Sequence, residues 1–148
     1  MALTVSDVRP SIIANLKKRF AEAGIKNYNA FVADAVTASP NTKFDLIIAD
    51  VPCSGSGTWA RTPEQLSFFK ESQVDDYTAL QIAIAANAIK YLEPGGYLLY
   101  ITCSVFKKEN ELQVEKLLAM GMQLVEQEVL KGYSENADSM FVALLRIC

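Results

Sequence analysis

The feature that most constrains the fold is a regular alternation of short apolar segments with segments of helical period. Apolar runs at Leu3–Val5, Tyr28–Val32 and Phe44–Ala49 each predict a strand, and residues 10–23 carry apolar side chains at helical spacing. This βαβ pattern is typical of an open α/β sheet with helices on both faces. The third run is almost continuously apolar at Leu46–Ile48, which predicts a strand buried on both faces.

The second half of the chain continues the alternation. After a loop rich in glycine and serine, the sequence predicts two helices, a turn, a strand, a helix and two closing strands, at 64–70, 77–91, 94–96, 97–102, 109–120, 122–129 and 140–146. We expect the closing strands to form an antiparallel pair. The prediction for 1–148 is therefore one α/β domain.

Composition excludes several classes of function. The net charge of -3 argues against a free-standing nucleic-acid-binding protein, although it leaves RNA open as a substrate. The chain has no histidine, which excludes Ser-His and Cys-His catalysis within it. Its three cysteines include no CxxC pair, so neither a disulfide framework nor a zinc site is indicated. Without a membrane-length apolar run or a signal-peptide pattern, we expect a cytoplasmic protein.

Polar or reactive groups follow four of the predicted strands. They are Asp7, Asp34, Asp50 and the pair Thr102-Cys103. In open α/β sheets, ligands bind outside the carboxyl ends of the strands. Any one of these aspartates is more often a helix cap or a turn residue. Their joint occurrence at four strand ends indicates a shared functional site.

Two cysteines follow strands in the same way. Cys53 lies in a small-residue loop, DVPCSGSG at 50–57, and Cys103 lies in YITCS at 100–104. If the two strands are neighbours, both thiols face one cleft. Two thiols and a carboxylate indicate nucleophilic catalysis through a thiolate. A redox pair is the competing interpretation, and a lone cysteine is more often a small buried apolar residue.

Two motifs carry a resemblance to a known family. The segment DVPCSGSGT at 50–58 resembles the DAPCSGTG motif of the NOP/Sun family of RNA cytosine-C5 methyltransferases. The segment YITCSV at 100–105, followed by ENE at 109–111, resembles their YATCSV and EENE motifs. The resemblance implies a Rossmann-like fold that uses S-adenosylmethionine. It also implies methyl transfer to C5 of a cytosine in RNA, with ribosomal RNA as the expected substrate.

The resemblance also implies roles for individual residues. Cys103 would add to C6 of the cytosine, and Cys53 would assist release of the product. Asp50 would bind the base near N3 and stabilise developing charge. Asp7 and Asp34 would bind the ribose and the adenine of S-adenosylmethionine, and Asp50 is included with them in the cofactor site.

Contacts with RNA are expected from residues near these motifs. A stacked cytosine hides C5 and C6, so the target base has to be unpaired or flipped out. Pro52 and Arg61 are the expected RNA-binding residues, although Arg61 is equally an ordinary surface arginine. Trp59 would stack on RNA or pack on its own domain. Lys107 and Lys108 would contact phosphates or form the solvated start of a helix.

The chain departs from the family pattern at its beginning. The glycine-rich cofactor motif on the strand before Asp7 is absent, as six residues alone precede that aspartate. The sequence therefore predicts a methyltransferase domain truncated at its N-terminus, which lacks the first strand. Its expected partners are RNA and the missing N-terminal region of the same enzyme. A homo-oligomer formed through the incomplete sheet is a further expectation.

Three alternatives remain open from the sequence. The first is a truncated or inactive methyltransferase-fold module that binds RNA. The second is a thiol redox protein, which the absence of CxxC disfavours. The third is a DNA cytosine methyltransferase, which would take its nucleophile from the loop of Cys53. The group that lowers the pKa of Cys103 from about 8.5 is also left open.

Overall fold

The computed structural model describes residues 2–147. The chain divides into two compact units, 1–39 and 40–148, and each is described by itself. No helix in the described part is long and apolar enough to cross a membrane.

The first unit is a βαβ unit. It consists of β1 (Leu3–Asp7), α1 (Pro10–Glu22) and β2 (Tyr28–Val32), and the two strands pair in parallel. Pro10 begins the helix, where a missing N–H is tolerated because that group has no intrahelical partner. Gly24 follows the helix with a φ of 72°, the left-handed conformation that commonly ends a helix.

The second unit contains a four-stranded sheet and three helices. Its elements are β3 (Phe44–Asp50), α2 (Gln65–Phe68), α3 (Ser72–Ile89), β4 (Leu92–Thr102), α4 (Glu111–Ala119), β5 (Met122–Leu130) and β6 (Met140–Ile147). The strand order is β3-β4-β6-β5. Strands β3 and β4 are parallel, whereas β6 runs antiparallel to both of its neighbours. The predicted antiparallel closing pair is confirmed.

The core of the second unit lies on the two central strands. Alternate residues of β4 and β6 are fully buried, which is the period-two pattern of a strand with one face on a core. They pack with side chains of α3 and α4; the fully buried set includes Leu98, Tyr100, Ala143, Leu145, Ala85 and Leu117. The buried centre holds the end of β4 firmly in place, next to Cys103.

Strand β3 is less buried than its sequence predicts. It lies at the edge of its sheet, and alternate side chains face opposite ways. Ala49 is buried against the core, whereas Leu46 and Ile48 are 49% and 60% exposed. The prediction of a strand buried on both faces is wrong in the described chain, because α3 covers one face of β3 and leaves the other open.

Two boundaries also differ from prediction. Helix α3 begins at Ser72 and not at Tyr77, because its polar first turns carry little apolar periodicity. The predicted turn at 94–96 is a bulge inside β4, since Phe44 pairs with Leu92 while Leu46 pairs with Tyr97. A glycine at φ 78° in this bulge absorbs the extra residues without strain.

Candidate active site

The two cysteines lie on loops at the carboxyl ends of neighbouring parallel strands. Asp50 at the end of β3 pairs with Ile101 of β4, and the N–H of Val51 donates to the Ile101 carbonyl at 3.1 Å. The Cys53 loop (residues 51–58) and the Cys103 loop (residues 103–106) therefore leave the sheet side by side. The strand adjacency on which a shared thiol cleft depends is confirmed.

The backbones of the two loops are hydrogen-bonded to each other. The N–H of Gly57 donates to the carbonyl of Cys103 at 2.9 Å, and the N–H of Val105 donates to Ser56 Oγ at 2.9 Å. The N–H of Cys103 donates to the sulfur of Cys53. Gly57 has no room for a side chain, because a Cβ there would lie 2.0 Å from the carbonyl oxygen of Ser139. Close backbone packing thus fixes the two loops together.

Ionisation of the Cys53 thiol is strongly disfavoured. Burial is the main cause that raises the pKa of Cys53 to about 11; hydrogen bonds from the backbone of Gly55 and Cys103 oppose this rise, and the nearby Glu109 and Cys103 add to it. At neutral pH this group is therefore a neutral thiol.

The surroundings of Cys103 are different. Burial raises the pKa of Cys103, and the carboxylates of Asp50 and Asp138 raise it as well. The guanidinium of Arg61 acts in the opposite direction and lowers the pKa. The sequence left open which group lowers the pKa of Cys103, and the structure identifies Arg61 as a group with that effect.

Arg61 is held beside Cys103 by an ion pair with Asp138. Its Nε and Nη2 donate to the two carboxylate oxygens of Asp138 at 3.1 and 2.6 Å. The pair holds the pKa of Asp138 below its usual range. The segment before β6 packs on the Cys53 loop, because the N–H of Ser139 donates to the carbonyl of Gly57 at 3.0 Å. Arg61 is therefore engaged by a carboxylate, with its side chain 68% exposed.

Sequence reasoning missed the role of Glu109, which is fully buried between the two loops. Its carboxyl group accepts hydrogen bonds from Ser54, Ser104 and Gln81. The available signal was its place at the start of the ENE motif, ahead of α4. The sequence gives it no role because its partners on Ser54 and Gln81 lie 55 and 28 positions away.

The other site residues predicted near the motifs differ in their exposure and contacts. Asp50 is exposed at the end of β3, and Pro52 is exposed beside Cys53, with its carbonyl accepting a hydrogen bond from Gln81 Nε2 at 2.9 Å. Trp59 packs on its own unit, with ring centroids 5.0 Å from Phe69 and 5.9 Å from Phe106.

The two lysines of the Cys103 region differ in their contacts. Lys108 Nζ pairs with Asp75 at 2.9 Å, as expected of a solvated helix start. Lys107 is exposed beside it and lines a groove together with Phe69 and Phe106.

The first unit carries the other two predicted acids. Asp7, at the end of β1, accepts hydrogen bonds from the backbone N and Nε of Arg9 at 2.7 and 3.0 Å, which holds its pKa low. Asp34, after β2, is exposed and accepts the N–H of Val36 at 2.9 Å. Both therefore make the local turn contacts that strand-end aspartates commonly make.

The family model described as 16S rRNA methyltransferase RsmB/F matches residues 1–146. This chain belongs to that family. The resemblance of its two cysteine motifs to the Sun-type enzymes is thereby confirmed. Ribosomal RNA small subunit methyltransferase B of Cronobacter sakazakii is 35% identical over 123 residues, which cover 80% of this chain and 28% of that protein. The chain spans 22% to 28% of the length of the first three curated relatives that it matches.

Solved structures confirm the α/β fold. The crystal structure of PH0851 superposes with a TM-score of 0.90 at 28% identity, covering 96% of this chain and 36% of that one. The structure of NSun6 from Pyrococcus horikoshii with SFG gives a TM-score of 0.88 at 24% identity, covering 97% of this chain and 40% of that one. The fold is that of the Rossmann-like methyltransferases, as the motifs predict.

Proposed function

We propose that this chain forms the catalytic region of an enzyme that methylates C5 of a cytosine in ribosomal RNA, with S-adenosylmethionine as the methyl donor. The observation that carries the proposal is the pair of thiols at the ends of adjacent parallel strands, linked by the hydrogen bond from the Cys103 N–H to the Cys53 sulfur. Membership of the 16S rRNA methyltransferase RsmB/F family supports the substrate and the donor.

The acids at the strand ends suit the donor. Carboxylates accept hydrogen bonds from ribose hydroxyls and from an adenine amino group. We assign these contacts to Asp7 and Asp34, each of which lies at the carboxyl end of a strand in the first unit. We assign Asp50 to both the cofactor and the cytosine. Its carboxylate is exposed, and its charge raises the pKa of Cys103, which is the proposed nucleophile. When bound, S-adenosylmethionine would supply an electrophilic methyl group on a sulfonium, and loss of that methyl group would leave a neutral thioether.

The chemistry begins at Cys103. Its thiolate adds to C6 of the cytosine, so that a sulfur–carbon bond forms and the C5–C6 π pair moves onto C5, which becomes the nucleophile for the methyl group. Asp50 binds the ring near N3 while charge develops there. Arg61 favours the thiolate, whereas Asp50 and Asp138 oppose it.

Release of the product requires removal of the C5 proton. Once that proton leaves, the C5–C6 double bond forms again and the bond from C6 to the Cys103 sulfur breaks. We assign this step to Cys53. Cys53 is a neutral thiol in the free protein, so it must lose its own proton to solvent before it can accept the C5 proton; because its pKa is raised to about 11, the thiolate that results is a strong base.

The raised thiol pKa values also bear on the redox alternative. Cysteines of redox-active pairs ionise readily because their pKa values are lowered. Both Cys53 and Cys103 are shifted in the opposite direction. The direction of both shifts therefore disfavours a redox-active pair.

A covalent-adduct experiment tests the proposal. Cys53→Ala is incubated with unmodified 16S rRNA and S-adenosylmethionine and then analysed on a denaturing gel. We expect a protein–RNA adduct that survives denaturation, since addition through Cys103 proceeds while release is blocked. The double variant with Cys103→Ala should give none.

Two outcomes would contradict the assignment. An adduct that persists in the double variant would place the nucleophile elsewhere. Methylation retained by Cys103→Ala alone would exclude the covalent route. Calorimetric titration with S-adenosylmethionine is the matched control for donor binding, and Asp34→Asn should weaken that binding without affecting either thiol.

A further inference from the structure

Glu109 is a buried carboxylate that the proposed chemistry does not use. Its side chain is fully buried in the second unit, where an ionised group is costly unless donors surround it. Its Oε1 accepts from the N–H of Ser54 at 2.8 Å and from Gln81 Nε2 at 3.1 Å. Its Oε2 accepts from Ser54 Oγ at 2.6 Å and from Ser104 Oγ at 2.5 Å. Four donors thus converge on one carboxylate.

Three of these four donors belong to residues that directly follow the two cysteines. Ser54 follows Cys53 in the chain, and Ser104 follows Cys103. Each cysteine loop is therefore anchored to the same carboxylate, one residue away from its thiol. A displacement of either loop would break at least one of these bonds and leave a buried polar group without a partner.

Each loop has a second anchor on the other side of its cysteine. Gln81 Nε2 also donates to the carbonyl of Pro52 at 2.9 Å, which fixes the residue before Cys53. Asn110 accepts from Thr102 Oγ1 at 2.6 Å and donates to the carbonyl of Ser104 at 2.8 Å, which brackets Cys103. Gln81 serves the first loop and Asn110 the second, whereas Glu109 bonds to both.

We propose that Glu109 is a positioning residue that fixes the Cys53 loop and the Cys103 loop at one spacing. It also places a negative charge beside Cys53 and thereby favours the neutral thiol there. Cys53 and Cys103 thus differ in ionisation partly because the carboxylate that binds both loops faces one thiol. The importance of this spacing for catalysis rests on the proposed function. The spacing itself can be tested without assuming that function.

The first test is amide hydrogen exchange, measured by NMR on Glu109→Ala. The N–H groups of Gly57 and Val105 cross between the loops, and neither donates to Glu109. If Glu109 sets the spacing, both amides should exchange about tenfold faster or more in the variant. Glu115→Ala, which removes an exposed glutamate from α4, is the matched control and should leave them unchanged.

A different pattern of exchange would overturn the proposal. Loss of protection at Ser54 alone, with Gly57 and Val105 as slow as in the wild type, would show that Glu109 holds one loop and not the spacing.

Glu109→Gln keeps the size of the side chain and covers the case in which the alanine variant does not fold. The charged or titratable groups that face Cys53 are Glu109, Cys103 and Tyr100. Removing the charge of Glu109 should make Cys53 react with iodoacetamide about threefold faster or more at pH 8.5, because its thiolate fraction rises.

Mass spectrometry of each cysteine peptide supplies the readout. Cys103 should change less, because Asp50, Asp138 and Arg61 still face it in the variant. Glu115→Gln should alter neither rate. A Cys53 rate equal to that of the wild type in folded Glu109→Gln would exclude the electrostatic part of the role. Neither test uses RNA or S-adenosylmethionine, so failure of the proposed function would show separately, as a missing adduct.

Discussion

Cys53 and Cys103 occupy the same position relative to neighbouring strands, yet they are chemically different. Cys53 is the more deeply buried and faces Glu109, and its pKa is raised to about 11. Cys103 faces Asp50, Asp138 and Arg61, and the cation partly opposes the effects of burial and of the two carboxylates. Position at a strand end brings both thiols together, but burial and then the charged groups from distant parts of the chain decide how readily each one ionises.

The difference matches the two roles in the proposed reaction. A nucleophile has to be reached by the substrate and converted to a thiolate, and Cys103 is the thiol beside a cation. A base that acts late in the reaction can remain protonated until the adduct has formed, which suits Cys53. Four predictions test this comparison, beginning with the largest expected effect.

Gly57→Ala should separate the two loops. Its Cβ would lie 2.0 Å from the Ser139 carbonyl oxygen and 3.0 Å from that of Cys103, so the backbone must move. We expect a loss of about 3 kcal/mol in the free energy of unfolding, measured by urea denaturation. Gly24→Ala is the control with open space and a φ of 72°, and it should cost about 1 kcal/mol. Equal losses would contradict the close-packing argument.

Phe106→Ala should remove the aromatic contacts of the Cys103 loop with Trp59 and Phe69. The centroid of the Phe106 ring in the Cys103 loop lies 5.9 Å from that of Trp59 and 5.6 Å from that of Phe69, on which it stacks. Loss of these contacts should reduce the free energy of unfolding by about 1.5 kcal/mol in thermal or urea denaturation. Phe68→Ala is the matched control, because that ring is 72% exposed, and it should change stability by under about 0.5 kcal/mol.

Substitution of the charged residues that face Cys103 should change the alkylation rate of Cys103 and not that of Cys53. Arg61→Gln removes the cation that lowers the pKa of Cys103, so alkylation of Cys103 at pH 8.5 should slow by about threefold. Asp138→Asn removes a carboxylate that raises the same pKa and should accelerate alkylation by a similar factor. The Cys53 rate should keep rising with pH toward about 11 in both variants.

Peptide mass spectrometry after timed reaction with iodoacetamide measures both rates. Lys131→Gln, an exposed charge change, is the control. A parallel change of both thiols in Arg61→Gln would mean that the two share one electrostatic environment, and the comparison would fail.

Lys108→Ala should have the smallest effect. Lys108 pairs with Asp75 at 2.9 Å, but the two side chains are 53% and 69% exposed, and solvent screens such pairs. We expect no measurable change in Tm and no change in either alkylation rate. A clear loss of stability would show that this ion pair supports the Cys103 loop more than its exposure suggests.

Much of the fold follows from local pattern. The strands Tyr28–Val32 and Met122–Leu130 lie within one residue of their predicted bounds, because apolar alternation and flanking turn residues are local signals. The adjacency of β3 and β4, which the sequence leaves as a condition, agrees with the βαβ pattern. The start of α3 at Ser72 is missed, because its first turns are polar and depend on packing of Val74.

The sequence by itself determined the family, the α/β fold and the positions of Cys53 and Cys103 at strand ends, because motif order and strand period are properties of short segments. The tertiary structure alone decided which charges face each thiol. Arg61 and Asp138 are 77 positions apart, and Glu109 meets Ser54 from 55 positions away. Thiol ionisation depends on burial and on charges within a few ångströms, and folding sets both after distant segments pack together.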